Sequence, residues 1–303
     1  MTPDRVFLVT GGNTGIGLAT ATALARGGGR VYIACRSREL GEAAVARIQA
    51  AAGTGNGAGG GGYADGGGYA DGGGDAGGGG GSVRLLPLDL ASLASVRECA
   101  AAFLALGEPL HVLINNAGVG GQRGLTADGF ELHFGVNHLG HFALTMLLLG
   151  RLKESAPARI VNVSSDAHYG ARGIDFDALR RRTPSFTGQR EYAVSKLCNV
   201  LFTQELARRL DGTGVTSYAL HPGVVASDIW RRVPWPARTL IKKRMLTTEQ
   251  GAVTSLYCAT SPEVASQSGL FYDKCRVRQP SRAATPELAE LLWKHSAEWT
   301  GLG

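Results

Sequence analysis

The chain has 303 residues, 44% hydrophobic and 18% charged, with a formal net charge of +6. Such a length and apolar content suit one large α/β domain or two small ones with a substantial core, and exclude a disordered or fibrous chain. The basic excess is mild and no dense basic run with interleaved aromatics occurs, so anionic cofactors account for it more simply than nucleic acid does.

In chain order, the apolar run from Val6 breaks after Thr10 into Gly11, Gly12, Asn13, Thr14, Gly15, Ile16 and Gly17, and a helical pattern follows from Leu18. Strand, glycine turn and helix N-terminus together cradle a nucleotide pyrophosphate. Glycines let the backbone approach the phosphates, and the free N–H groups and positive helix end face the anion. The spacing is Thr-Gly-x-x-x-Gly-x-Gly, not the commoner G-x-G-x-x-G. Val31 to Cys35 reads as a second strand and Glu39 to Ala51 as a helix. The 45 glycines are abnormal, and most of the excess lies between Gly53 and Gly81, with a doubled Tyr-Ala-Asp-Gly-Gly-Gly unit at Tyr63 and Tyr69. Nothing there can offset the entropy of ordering, so residues 53–81 are expected to be a disordered surface insertion within one domain.

Strand three is expected over Val83 to Leu88, with Ser92 capping a helix that runs to about Leu106. Leu110 to Ile114 gives strand four, Phe130 to about Lys153 a long helix, and Arg159 to Val163 strand five. A second long helix covers roughly Glu191 to Leu210. Val215 to Leu220, Glu249 to Ala259 and Leu270 to Tyr272 read as strand, helix and strand, and Pro286 opens a final amphipathic helix. The alternation predicts an α/β fold: a single doubly wound Rossmann domain over 1–303, with a parallel seven-stranded sheet and helices on both faces. Five scattered cysteines (Cys35, Cys99, Cys198, Cys258 and Cys275) lack C-x-x-C spacing and read as reduced, buried thiols. No metal site is expected. The first strand starts almost at once, leaving no room for a signal peptide or anchor before it, and the apolar run Phe142 to Leu149 is too short to span a bilayer. The expected location is cytoplasmic, or peripheral on an intracellular membrane.

Tyr192 and Lys196 lie at i and i+4 on one helix face. A nearby ammonium stabilises a phenolate and lowers a tyrosine pKa that is ordinarily near 10. Ser165 closes strand five, where an open sheet presents ligands beyond a strand's carboxyl end.

Together, Thr10-Gly-x-x-x-Gly-x-Gly17, Asn115-Asn-Ala-Gly118, Ser165 and Tyr192-x-x-x-Lys196, in that order, resemble the short-chain dehydrogenase/reductase family over nearly the whole chain apart from the insertion. Val136-Asn-His-Leu-Gly-His-Phe142, Leu197-x-Asn199-Val-Leu-Phe202, His221-Pro-Gly-Val-Val225 and Glu290-Leu-Leu-Trp293 are similar to its retinol dehydrogenase branch. The resemblance implies that Tyr192 donates or accepts the proton, and that Lys196 lowers its pKa and holds the nicotinamide ribose. It implies that Ser165 orients the carbonyl, with Ser164 the competing candidate, and that Asn137 supports a water-linked proton relay through a local distortion of its helix. It places the cofactor on Gly11, Asn13, Thr14, Gly15, Ile16, Gly17, Asp89, Leu90, Asn116, Ala117 and Gly118. Pro222, Gly223 and Val225 would lie along the nicotinamide, and Ser227 would supply a hydroxyl to the pyrophosphate.

After strand two comes Cys35-Arg36-Ser37-Arg38, with no acid until Glu39, so Arg36 is expected to pair with a 2′-phosphate and NADP(H) to be preferred over NAD(H). Residues 227–247, rich in Trp, Arg and Lys, are expected to form a substrate lid, either packed on the domain or also touching membrane lipid. The expected reaction is NADP(H)-dependent interconversion of a lipophilic carbonyl and its alcohol, retinal and retinol first. A broad carbonyl reductase for steroid, xenobiotic or lipid-peroxidation carbonyls and a non-catalytic NADPH-sensing scaffold are the alternatives. Nucleic acid is not an expected partner; a homodimer is left open.

Overall fold

The computed structural model describes residues 4–53, 81–225 and 246–302. The insertion, the lid and Ser227 therefore lie outside the described residues, apart from the edge positions Gly53, Gly81, Leu246 and Thr247. The strands are β1 (Val6–Thr10), β2 (Arg30–Cys35), β3 (Val83–Pro87), β4 (Val112–Asn115), β5 (Ala158–Val163), β6 (Val215–His221), β7 (Leu270–Asp273) and β8 (Arg276–Val277). They form one sheet in the order β3-β2-β1-β4-β5-β6-β7-β8. The first seven run parallel, as expected, and β8 adds an antiparallel edge to β7. Two exposed residues carry no alternation, so β8 has no sequence signal; its turn is made by Lys274 and Cys275 at φ 50° and 60°. All five cysteines are free as expected; Cys275 is half-buried in that turn, while the other four are buried.

Each strand of the sheet centre is buried on both sides. Val6 and Leu8 of β1 face one apolar cluster, and Phe7 and Val9 face the other. The first cluster is closed by α3 (Leu93–Ala105), α4 (Leu132–Glu154), α5 (Gln189–Arg209) and α7 (Pro286–Thr300), through Phe103, Phe142, Phe202 and Trp293. The second is closed by α1 (Gly15–Arg26), α2 (Arg38–Gly53) and α6 (Thr248–Thr260), through Leu24, Ile48 and Cys258. Ser92 caps α3 as its sequence suggests, accepting from the Ser95 amide at 3.3 Å.

The apolar run Phe142 to Leu149 belongs to a longer helix than the run alone indicates. By length and composition, the 23 residues of α4 suffice to cross a membrane, but the apolar window is 78% buried inside the domain, where it packs as core. Near its start α4 widens into a π turn over Gly135–Leu139. The strand order reverses between β1 and β4, so the carboxyl ends of β1, β4, β5 and β6 open on a single crevice.

Candidate active site

The glycine turn after β1 is built for close approach. Gly11 adopts φ 66°, and a Cβ there would stand 3.0 Å from the Ala117 Cα. A Cβ on Gly17 would collide with the Gly11 carbonyl, so α1 can start this close to β1 only with glycine. Gly15, at φ 55°, meets nothing within 4 Å: its backbone is bare towards open space at the N-terminus of α1, whose first turn has no acidic residue. That combination fits a pyrophosphate. The turn is tied to the segment after β4 by Thr10, whose Oγ1 accepts from the amides of Asn116 and Ala117 at 2.9 and 3.0 Å. Asn116 answers by donating its Nδ2 to the Thr10 carbonyl at 2.8 Å.

Asn137 sits in the π turn of α4, fully buried. Its Oδ1 accepts from the Val119 amide at 2.8 Å, and its Nδ2 donates to the Val119 carbonyl at 3.0 Å and to Ser195 Oγ at 2.9 Å. A local distortion of the helix is thus present where the resemblance implies one. A Cβ on Gly118 would lie 3.2 Å from Asn137 Oδ1 and 3.6 Å from Lys196 Nζ, so a bare backbone surface faces both polar groups.

The two serines after β5 separate cleanly. Ser164 is buried and donates its hydroxyl to the Lys196 carbonyl at 2.7 Å, which fixes α5 against the sheet. Ser165 is partly exposed, its Oγ accepts from the Ala167 amide at 3.2 Å, and its hydroxyl lowers the Tyr192 phenol. Lys196 Nζ donates to the Val163 carbonyl at 2.9 Å and lies 5.6 Å from the Tyr192 ring centre. Burial pulls the lysine down to about 8. Burial also pushes the Tyr192 phenol above its ordinary value, with the Ser165 hydroxyl acting in the opposite sense. The net shift of the phenol is therefore upward, opposite to the expected depression, because desolvation outweighs the Ser165 hydroxyl.

The remaining expected residues flank this centre. Val225 packs within reach of Ile16 and of Gly251, where a Cβ would come 2.5 Å from the valine and 3.1 Å from Ile16. Gly223, at φ 85°, lies against Leu246, with whose side chain a Cβ there would collide. Asp89 spends one carboxylate oxygen on the Ala91 amide at 3.0 Å, and the Leu90 carbonyl lies against Gly140. Arg36 is exposed at the end of β2; among the described residues it has no carboxylate partner, whereas Arg38 pairs with Glu42 at 2.7 Å. Asn13 and Thr14 lie in the turn leading into α1.

Several polar residues around the centre were not singled out from the sequence. His141 Nδ1 lies 3.0 Å from the Asn137 carbonyl and its Nε2 2.9 Å from Thr10 Oγ1; burial lowers it to about 4. His168 repeats the pattern, with Nδ1–H donating to the Ser165 carbonyl at 2.6 Å and Nε2 accepting from the Ser281 amide at 3.1 Å. Asp166 accepts from Arg278 at 3.1 Å, fastening the turn after Ser165 to the chain beyond β8. Glu131 caps α4 through the Phe134 amide at 2.9 Å and pairs with His133, whose ring stands edge-on to Tyr192. Only the spacing of Asn137 and His141, one helical turn apart, is a signal that the sequence carries.

The short chain dehydrogenase family model matches residues 5–57 and 75–175. The chain is 45% identical to retinol dehydrogenase 12 of Mus musculus over 99% of its own length and 87% of the relative's. It is 45% identical to human retinol dehydrogenase 11 with the same coverage, and 41% identical to human retinol dehydrogenase 13 over 99% and 86%. Among solved structures, an uncharacterised protein from Mycobacterium paratuberculosis superposes with a TM-score of 0.73 at 32% identity, covering 99% of this chain and 96% of that one. The Pseudomonas aeruginosa RhlG/NADP active-site complex has the same fold, with a TM-score of 0.66 at 23% identity over 93% and 97% of the two chains. The chain belongs to the short-chain dehydrogenase/reductase family, in its retinol dehydrogenase branch.

Proposed function

We propose that this enzyme is an NADP(H)-dependent oxidoreductase that interconverts a lipophilic aldehyde and its alcohol, retinal and retinol first, with Ser165, Tyr192 and Lys196 as the reacting set. The observation that carries the proposal is the Ser165–Tyr192 hydroxyl pair, with Lys196 beneath it and the bare Gly118 backbone beside it. The bound cofactor supplies a hydride for the carbonyl carbon. Ser165 donates a hydrogen bond to the carbonyl oxygen, and Tyr192 O–H gives that oxygen its proton as negative charge develops there. Lys196, held by the Val163 carbonyl, keeps a positive charge next to the phenolate left behind. Asn137 braces the Val119 backbone and, through Ser195, the helix carrying Tyr192.

Burial favours the reductive direction, because a phenol with a raised pKa keeps the proton it must donate at neutral pH. Arg36, unengaged by any described carboxylate, supports recognition of a 2′-phosphate by a charge-assisted bond. The relatives named retinol dehydrogenases support a retinoid as first substrate. Phe186, 90% exposed, and the exposed Arg180, Arg181 and Arg182 of the same segment before α5 support approach of that substrate from a lipid surface.

The test is NADPH oxidation with all-trans-retinal and with a medium-chain aldehyde, in wild type and in Tyr192→Phe. Retinal is expected to give the higher kcat/KM, and the variant to lose at least about a hundredfold in kcat with NADPH affinity unchanged. Turnover by the variant near the wild-type rate would remove Tyr192 from the chemistry. A wild type that binds NADPH and reduces neither aldehyde would favour the sensing scaffold.

A further inference from the structure

His141 is 2% exposed in α4 and stands between two parts of the site that no other single side chain bridges among the described residues. Its hydrogen bonds have only one consistent polarity. The Asn137 carbonyl can only accept, so His141 Nδ1 carries the proton and donates to it at 3.0 Å. The neutral ring then offers a lone pair at Nε2, and Thr10 must donate its hydroxyl there at 2.9 Å. Thr10 Oγ1 gives its one proton to His141 at the shorter distance, in preference to the Ile114 carbonyl at 3.4 Å, and its two lone pairs take the Asn116 and Ala117 amides. The result is a one-way series of donors: from the amides after β4 to Thr10, from Thr10 to His141, and from His141 to Asn137. Such chains polarise one another and are strongest in a dry interior.

The two ends of that series do different things. The Thr10 end holds together the glycine turn and the Asn116–Gly118 segment. The Asn137 end fixes a carbonyl inside the π turn, whose side chain braces Val119 and Ser195. Gly140, one residue before His141, brings the same stretch of α4 against the Leu90 carbonyl, which a Cβ there would approach to 2.7 Å.

We propose that His141 is a positioning residue whose Nδ1–H tautomer couples the cofactor turn at Thr10 to the π-turn carbonyl of Asn137, setting both as one unit. The inference rests on the reading of these segments as the nicotinamide site. It assigns the two ring nitrogens separable effects: Nε2 acts on cofactor affinity through Thr10, and Nδ1 acts on turnover through Asn137.

Two half-isosteres separate them. His141→Asn keeps a donor near the Nδ1 position and offers Thr10 nothing. His141→Gln places an acceptor near the Nε2 position and withdraws the donor from Asn137. NADPH Kd is read by fluorescence titration and kcat with a medium-chain aldehyde. His141→Asn is expected to weaken NADPH binding about tenfold with kcat within about threefold, the size of one buried neutral hydrogen bond. His141→Gln is expected to lower kcat about tenfold with Kd within about threefold. Thr10→Val combined with His141→Asn should bind NADPH no worse than Thr10→Val alone, since both cut the same link. Independently of any variant, 15N-labelled wild type should show His141 as a neutral Nδ1–H imidazole. Variants that move Kd and kcat in equal proportion, variants that move neither, or an Nε2–H tautomer in the wild type would each overturn the proposal. A wild type that binds no NADPH would instead sink the nicotinamide reading, and the nitrogen spectrum would still report on the tautomer.

Discussion

Lys196 is a charge that the fold holds at a cost, and the cost can be measured. Its pKa is lowered by burial from 10.5 to about 8, and at 4% exposure solvent screens little of that penalty. A shift of that size corresponds to roughly 3 kcal/mol opposing the charged native state at neutral pH. Lys196→Met removes the charge and keeps the stem. It also loses the Nζ bond to the Val163 carbonyl, worth about 1 kcal/mol, although Asn199 Nδ2 still donates to that carbonyl at 3.2 Å. The net expectation is a stabilisation of about 2 kcal/mol at pH 7, or a rise of roughly 4 °C in Tm, together with loss of turnover. The sign also dictates a pH dependence. Below pH 8 both native and unfolded chains carry the charge and the penalty is fully present. Between 8 and 10.5 the native lysine is neutral while the unfolded one still binds a proton, so wild-type stability rises with pH through that window. The gap between variant and wild type, measured by urea unfolding in cofactor-free buffer at pH 7, 8.5 and 10, should therefore shrink towards alkaline pH. A variant less stable than wild type at pH 7, or a gap that does not change with pH, refutes the reasoning.

Arg36→Asp places an anion where a 2′-phosphate is proposed to lie, and should lower the NADPH-to-NADH ratio of kcat/KM by at least about tenfold; an unmoved ratio takes Arg36 out of cofactor choice. Ser165→Ala should cost about a hundredfold in kcat with little change in Tm, the usual effect of losing one donor to a developing oxyanion. Ser164→Ala should do the reverse, lowering stability by about 1 kcal/mol through its lost bond to the Lys196 carbonyl; exchanged phenotypes would swap the roles of the two serines. Deleting residues 54–80 should leave Tm and turnover close to wild type, because loop closure depends weakly on length. Gly81 must be kept in that deletion, since a Cβ there would collide with the Gly29 carbonyl, and a large fall in Tm would show that the segment packs.

The fold was legible because its strands advertise themselves. Val6 to Val9 and Val31 to Cys35 are apolar on both faces, as only a doubly covered parallel sheet requires. The glycine turn was legible too, since the collision a Cβ on Gly17 would suffer is a demand for glycine itself. What the sequence did not disclose is partnering. Ser164 and Ser165 are the same residue twice, and only the strand's end decides that one turns to the Lys196 carbonyl and the other to Tyr192. The sequence likewise shows that Tyr192 and Lys196 share a helix face. It does not show how far the phenol is withdrawn from water, and that desolvation turns the tyrosine shift upward. His168 contacts a segment more than a hundred positions away, and no local pattern encodes that.

Burial moves Tyr192 and Lys196 in opposite directions on the pKa scale and towards the same state, neutrality. For the phenol that state is the proton donor that carbonyl reduction needs, so desolvation aids the proposed chemistry before any partner charge is considered. For the lysine it is a threat to function, since a neutral amine cannot balance the phenolate left when the proton has gone. The fold meets that threat with a backbone dipole, the Val163 carbonyl, which favours the protonated amine. That carbonyl belongs to the same strand end that presents Ser164 and Ser165. The end of β5 therefore sets the hydroxyl proposed to orient the carbonyl, the anchor of the helix carrying Tyr192 and the charge state of the lysine at once. A single shift of that strand end would disturb all three together.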